Sequence, residues 1–315
     1  MSMYDLIIIG GGPGGSAAAV YAGRKKLKTL MITEAIGGQS TVSASVENWI
    51  GTKSVSGFEL AKMLEEHVKE QKEDVEIIMP ERVTKIEKID SSFRVTTDKN
   101  HAFETKTVLV TSGGRRRRLN VPGEDKFEGK GVVYCSTCDA PLFRNKEVAV
   151  IGGGNAGLEA VEDLLPYASK ITLVVRSDSV KGDPLTLEEI QKSDKVNIIY
   201  NATILEVLGD TVVAGIRYRD TKEEQDKTLN IGGVFVEIGS IPNSEFLKGV
   251  VQLNERNEVV IDHQKGTTSQ EGIFAAGDVT DELYKQNNIS AGDAVKATLS
   301  AYNYLLKCKK ESGKK

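Results

Sequence analysis

The chain has 315 residues, 39% of them hydrophobic and 27% charged, with a net charge of −4, a composition expected of a soluble globular protein with room for two domains. That charge supplies no general attraction to nucleic acid or membrane, and no apolar stretch approaches the roughly 20 residues of a membrane span. Three cysteines, Cys135, Cys138 and Cys308, are too few for a secreted disulfide framework, and with a first strand at Tyr4–Ile9 no signal peptide is expected, so the expected location is a reducing cytoplasm.

In chain order, Leu6-Ile7-Ile8-Ile9 reads as a buried strand running into Gly10-Gly11-Gly12-Pro13-Gly14-Gly15, a helix through Ala17–Ala22 and a second strand over Lys28–Thr33. Residues 57–73 predict an amphipathic helix with Leu60, Met63, Leu64 and Val68 on its apolar face, and short strands follow over 83–89, 93–97 and 108–111. Gly113-Gly114, followed by Arg115–Arg118, reads as the exit from a first domain. Val148–Ile151 then runs into a second glycine turn, Gly152-Gly153-Gly154-Asn155-Ala156-Gly157. A helix carrying Leu158, Val161, Leu164 and Leu165 ends at Pro166, and a strand follows over Lys170–Val175. The two turns stand about 142 residues apart, which suits two copies of a mononucleotide-binding unit and not a solenoid. Gly239–Asn243 reads as the return to the first domain. The expected fold is therefore α/β, with two three-layer Rossmann-like domains, the second inserted in the first: residues 1–114 with 246–315, and residues 115–245. The four-arginine run reads as solvated surface, with steering of an acidic protein partner as its functional alternative. The lysine-rich end, Lys307–Lys315, reads as a frayed tail.

In a strand–turn–helix setting the fingerprint glycines serve three needs, which are a tight turn, room for a pyrophosphate, and close helix–strand packing. The first turn thus offers Gly10, Gly12, Pro13 and Gly15, the second Gly152, Gly154, Asn155 and Gly157. Glu34 ends the second strand about 19 residues past Gly15, placed to accept from both ribose hydroxyls of an adenosine without a 2′-phosphate, as in FAD. The matching position of the second copy is Val175, followed by Arg176, with Lys181 as support; cations there favour the 2′-phosphate of NADPH over NADH.

Between the two turns lies Cys135-Ser136-Thr137-Cys138-Asp139. Two intervening residues put both sulfurs on one helical turn, and a working dithiol needs one thiolate to attack and one to resolve. Asp139 is placed to shuttle the proton of the leaving thiolate. Zinc, the rival reading, lacks further ligands, because His67, His101 and His263 are scattered and no second Cys pair exists; no metal is expected. Two nucleotide sites and a dithiol together point to a flavin-dependent disulfide reductase.

With these motifs the whole chain resembles the low-molecular-weight thioredoxin reductases, and equally the flavoprotein subunit of alkyl hydroperoxide reductase without its N-terminal module. The resemblance implies FAD at the first turn. It puts Gly38, Gln39 and Asn48 (in Gly37-Gly38-Gln39 and Val46–Trp49) and Gly113 near the flavin. Gly277 and Asp278, in Gly272–Asp278, would lie at the ribityl chain, and Gln286 would lead a helix N-terminus to the pyrimidine edge. It implies that Cys138 faces the flavin, that Cys135 attacks a protein disulfide with Asp139 as acid–base, and that the domains swivel about Gly113-Gly114 and Gly239–Asn243. A thioredoxin or glutaredoxin-like partner, a peroxiredoxin system and a homodimer follow by the same resemblance. The chain departs from the family where NADPH users carry a His-Arg-Arg run, and where NADH users carry an acid in place of Val175. A ferredoxin or flavin-carrier donor, an oxygen-using dithiol oxidase, and a non-catalytic flavin binder are the alternatives.

Overall fold

The computed structural model describes residues 3–43 and 45–312. Its contacts divide the chain into two compact units, residues 1–115 with 241–315, and residues 116–240.

In the first unit, β1 (Tyr4–Gly11), α1 (Pro13–Arg24), β2 (Thr29–Ile36), α2 (Gly57–Lys69), β3 (Val75–Ile78), β4 (Val83–Ile89), β5 (Ser92–Thr97) and β6 (Ala102–Val110) precede the excursion, and the strand Ile273–Ala275 and the helix Asn287–Ser312 follow it. The sheet runs β3-β2-β1-β6-β5-β4, with Ile273–Ala275 also on β6. β1, β2, β3, β6 and the late strand pair parallel, while β4 and β5 add an antiparallel meander. The unbroken apolar run of β1 is explained by burial on both faces: Ile7 and Ile9 belong to one apolar cluster, Leu6 and Ile8 to the other. Each such side chain contributes about 1.5–3 kcal/mol on burial. On one face, small residues let α1 lie close to the C-terminal helix, with Ala18, Ala19 and Ala22 packed in the same cluster as Ala294, Ala297 and Ala301.

The second unit repeats the plan. Its parallel sheet runs Val196–Ile199, Lys170–Val174, Glu147–Ile151, Val234–Val236, Val132–Val133, so in both copies the strand that enters the glycine turn lies between the strand after the turn's helix and one from further along the chain. Val148 and Val150 face one cluster, Ala149 and Ile151 the other. Three antiparallel strands, Ala202–Gly209, Val213–Asp220 and Gln225–Asn230, form a separate sheet.

Three local expectations change. Met63 is exposed although Leu60 and Val68 are buried; at 100° per residue it falls roughly 110° from the centre of the face made by Leu60, Ala61, Leu64 and Val68. A capping box between Ser56 and Glu59 starts this helix. Lys307–Ser312 are not frayed but continue the last helix, with Leu305 buried and Lys307 pairing with Glu311 one turn on; residues 313–315 lie outside the described residues. The arginine run is not a uniform solvated surface: Arg115 bonds Asn243 and Glu245 within the first unit. Arg118, in the second, bonds Asp125 and Glu128 and lies over the Tyr134 ring.

Candidate active site

Each glycine turn separates its residues into those that hold the turn and one that faces open space. Gly10 has φ +109°, and a Cβ there would lie 2.4 Å from Thr111 O; a Cβ on Gly15 would lie 1.9 Å from Gly10 O. Gly12, by contrast, would meet nothing closer than Gly38 Cα at 3.8 Å. In the second turn Gly152 has φ +139° and would strike Glu237 O at 2.2 Å, Gly157 would strike Gly152 O at 1.9 Å, and Gly154 would meet nothing within 4 Å. Gly12 and Gly154 are also the N-cap residues of their helices, neither of which has a side-chain cap or an acid in its first turn. The free N–H groups and the helix dipole at both places therefore favour an anion such as a pyrophosphate.

In the first unit a cavity of about 900 Å³ opens over the C-terminal ends of β1, β2 and β6. That is a volume suited to a large organic ligand. Gly10, Gly12 and Pro13 line it, as do Glu34, Gly38, Gln39, Gly113, Gly277 and Asp278. Gly15 packs behind the turn. Gln39 Nε2 donates to Gly114 O, and Asp278 Oδ1 accepts from Ser290 Oγ at 3.0 Å. Asn48 and Gln286 do not line this cavity; Asn48 Nδ2 donates to Gln286 Oε1 at 3.2 Å, tying their two loops together. Residues with no sequence motif also reach the wall, among them Arg82, Asn243 and Ser290. Gly113 has φ +64° with nothing within 4 Å of its would-be Cβ. That freedom marks the exit from this unit.

In the second unit the loop 181–183 is laced onto the glycine turn. The N–H groups of Lys181 and Gly182 donate to Gly153 O at 2.7 and 3.1 Å, and the N–H of Asp183 donates to Asn155 Oδ1 at 2.8 Å. Arg176 and Lys181 are both exposed. Val175, which precedes Arg176, packs where a Gly153 Cβ would come within 2.7 Å of it.

The dithiol belongs to this second unit. Cys135 and Cys138 are joined as a disulfide with Cα atoms 5.3 Å apart, on a helical turn spanning Ser136–Asp139. Both cysteines are half-buried. Asp163, on the helix Asn155–Leu164, accepts from both intervening hydroxyls, Ser136 Oγ at 2.8 Å and Thr137 Oγ1 at 3.0 Å. Asp139 is buried, and burial pushes its carboxyl up to about 6, with Arg116 partly opposing the shift. A second acid, Glu237, is also buried, which pushes it up to about 7 against the pull of Arg116 and the Ser136 N–H. Sequence reading missed Glu237 and Asp163. The only signal was an acid closing the apolar strand Val234-Phe235-Val236. Beyond the dithiol, Phe143 is buried edge-on against Phe235 at 4.8 Å between ring centroids, while Leu142 is exposed. Cys308 is not part of this site; its thiol lies against Tyr304 one helical turn back and helps raise that phenol. Among the described residues no His/Cys/Asp/Glu cluster could hold a metal ion, and no helix is long and apolar enough to cross a membrane.

The alkyl hydroperoxide reductase F subunit of Staphylococcus epidermidis is 42% identical to this chain over 304 residues, covering 96% of the chain but 59% of that protein. The chain thus spans less than two thirds of that relative. Among solved structures, thioredoxin reductase from Streptococcus pyogenes superposes with a TM-score of 0.90 at 33% identity, covering 97% of this chain and 99% of its own. Thioredoxin reductase from Giardia duodenalis gives 0.90 at 30% identity, covering 97% and 100%. The profile of the pyridine nucleotide-disulphide oxidoreductases matches residues 4–297, and with two glycine turns of the same construction and a Cys-x-x-Cys disulfide between them, the chain belongs to the pyridine nucleotide-disulphide oxidoreductase family.

Proposed function

We propose that this chain is a flavoenzyme that moves electrons from NAD(P)H, with NADPH favoured over NADH, through FAD and the Cys135–Cys138 pair to the disulfide of a thioredoxin or glutaredoxin-like protein, one serving a peroxiredoxin included. The observation that carries the reading is the half-buried Cys135–Cys138 disulfide beside a buried Asp139, in the unit that holds the second glycine turn. The first cavity suits FAD: Gly12 leaves open the space a Cβ would fill at a free helix N-terminus, and Glu34 stands at the cavity wall where a ribose can be held. When bound, FAD would accept two electrons as hydride from a nicotinamide and pass them to sulfur. The second turn would hold the nicotinamide dinucleotide, with Arg176 and Lys181 at its adenosine 2′-phosphate. Homodimerisation and a cytoplasmic location belong to the same proposal.

In the reduced enzyme, Cys135 Sγ would attack the partner disulfide, forming a mixed disulfide as the partner S–S bond breaks. The leaving partner thiolate would take its proton from Asp139, whose raised affinity for a proton near neutral pH suits a general acid. Cys138 Sγ would then attack Cys135 Sγ, restoring the disulfide and releasing the partner as a dithiol. The test is anaerobic titration of the FAD-loaded protein with NADPH and, separately, NADH, following flavin absorbance. Bleaching at low NADPH, weakened about tenfold in Arg176→Ala and unchanged toward NADH, is the expected result. A preference for NADH would overturn the phosphate assignment. No reduction by either, with a flavin that dithionite still bleaches, would overturn the nicotinamide dependence and leave a ferredoxin-like donor.

A further inference from the structure

Glu237 follows the strand Val234–Val236, at the carboxyl end where sheets of this kind gather their functional groups. Its backbone is clamped against the second glycine turn: its N–H donates to Ile151 O at 2.9 Å, and its carbonyl oxygen occupies the place a Gly152 Cβ would need. Its carboxyl lies in the electrostatic field of the dithiol turn. The groups that act on it are Arg116 from the crossing segment, Ser136 N–H and Asp139 from the dithiol turn, and Asp163 from the helix Asn155–Leu164. Oε1 of Glu237 is fully buried and has no hydrogen-bond partner among the described residues. A buried carboxyl oxygen without a partner is costly, and such groups concentrate at working sites.

We propose that Glu237 is a positioning residue for the dithiol: a second buried carboxyl that shares the local proton inventory with Asp139 and sets the charge felt by the Cys135 and Cys138 thiols. The inference rests on the disulfide-reductase reading. Both acids are raised by burial, and Asp139, once charged, repels a second charge on Glu237. A charge on one therefore disfavours a charge on the other, and Glu237 gains its charge close to neutrality. Below that point the thiols see a neutral Glu237. Above it they see a buried negative charge, which opposes thiolate formation and slows attack. Opening the disulfide takes up two electrons and two protons and leaves two thiols. A charged Glu237 thus opposes the loss of those protons and holds the pair in the thiol form.

The experiment is a pH profile of iodoacetamide alkylation of Cys135 and Cys138 in the FAD-loaded protein after chemical reduction, read by mass spectrometry for the unaltered protein and Glu237→Gln. Reduction is chemical, so the outcome does not depend on which nucleotide or partner serves the enzyme. The expected result is equal rates near about pH 5.5, where both side chains are neutral, and alkylation roughly two- to fivefold faster in Glu237→Gln near about pH 8. A ratio constant across the whole range would mark a packing effect alone and overturn the proposal, as would superimposable profiles. Infrared difference spectra of the unaltered protein supply a test that does not depend on the variant folding. Because Asp139 titrates in an overlapping range, the spectra are repeated on Asp139→Asn, in which a buried protonated carboxyl must still disappear between about pH 6 and about pH 8, and its absence would equally overturn the proposal.

Discussion

Gly12→Ala and Gly15→Ala differ by one methyl group at positions three residues apart, yet should fail in different ways. At Gly15 the new Cβ would sit 1.9 Å from Gly10 O, 2.8 Å from Gly10 C and 3.0 Å from Thr111 Oγ1. The first two are backbone atoms of the same turn and cannot swing away, so relief requires shifting α1 off the end of β1. Overpacking of that kind costs about 1–3 kcal/mol where side chains can yield and more where backbone must move; about 4 kcal/mol is expected here. At Gly12 the backbone has φ −70° and ψ −172°, which any L-residue adopts, and the nearest atom is 3.8 Å away. Alanine is a poorer N-cap than glycine by about 0.5–1 kcal/mol, and the loss of unfolded-chain freedom offsets this by about 0.4–1 kcal/mol, so the fold should be nearly unchanged. The methyl would instead stand where a pyrophosphate must approach, weakening FAD by about a hundredfold, or about 2.8 kcal/mol. Thermal melts of the apo proteins, with flavin content after purification and FAD titration by fluorescence quenching, separate the two. Apo Gly15→Ala should melt well below the parent. Apo Gly12→Ala should melt with the parent but lose the added stability that FAD confers. If Gly12→Ala retains parental FAD affinity, the phosphate cradle is wrongly placed. The same contrast holds at Gly154 and Gly157 for the nucleotide, scored by flavin reduction.

Glu124 is buried and accepts from Leu119 N–H, Asn120 N–H and Tyr134 Oη, each at 2.8 Å. Glu124→Ala should therefore destabilise the second unit by about 3 kcal/mol, read as faster hydrogen exchange confined to residues 116–240. Glu237 has its carboxyl raised to about 7 in the folded protein from an ordinary 4.5. The folded state thus holds the proton more tightly, and stability falls as pH rises from the ordinary value through about 7. Glu237→Gln removes that penalty and should raise stability by on the order of 2–3 kcal/mol at about pH 8 and by nothing at about pH 4 in urea melts; a gain equal at both would refute the assignment. Cys138→Ser should leave nicotinamide-driven flavin bleaching intact while abolishing reduction of a protein disulfide, and persisting turnover would remove the dithiol from the electron path.

The local chemistry was legible in the residues themselves. A positive-φ glycine, a strand buried on both faces and two sulfurs on one helical turn are demands met within a few neighbouring residues, so Gly10, Gly152, the Leu6–Ile9 run and Cys135–Cys138 declare themselves without knowledge of what lies opposite. The presence of two nucleotide-binding units was readable for a related reason, because the same strand–turn–helix signal occurs twice; their nested order was not, since it depends on the segment after Ile241 packing back on the first unit. What meets at the ends of the strands was decided only by tertiary structure. Parallel pairing places β6 beside β1 and Ile273–Ala275 on β6, which brings Thr111 and Asp278 to the wall of the cavity over the first glycine turn. The corresponding pairing in the second unit sets Val234–Val236 beside Glu147–Ile151, which delivers Glu237 behind the dithiol. Asp163 reaches the Ser136 and Thr137 hydroxyls because a helix packs across the turn, and Gln286 bonds Asn48 because two loops meet. No spacing along the chain encodes these approaches. They arise because a parallel sheet buries its strands from both sides and leaves their carboxyl ends as the place where residues distant in sequence converge on open space.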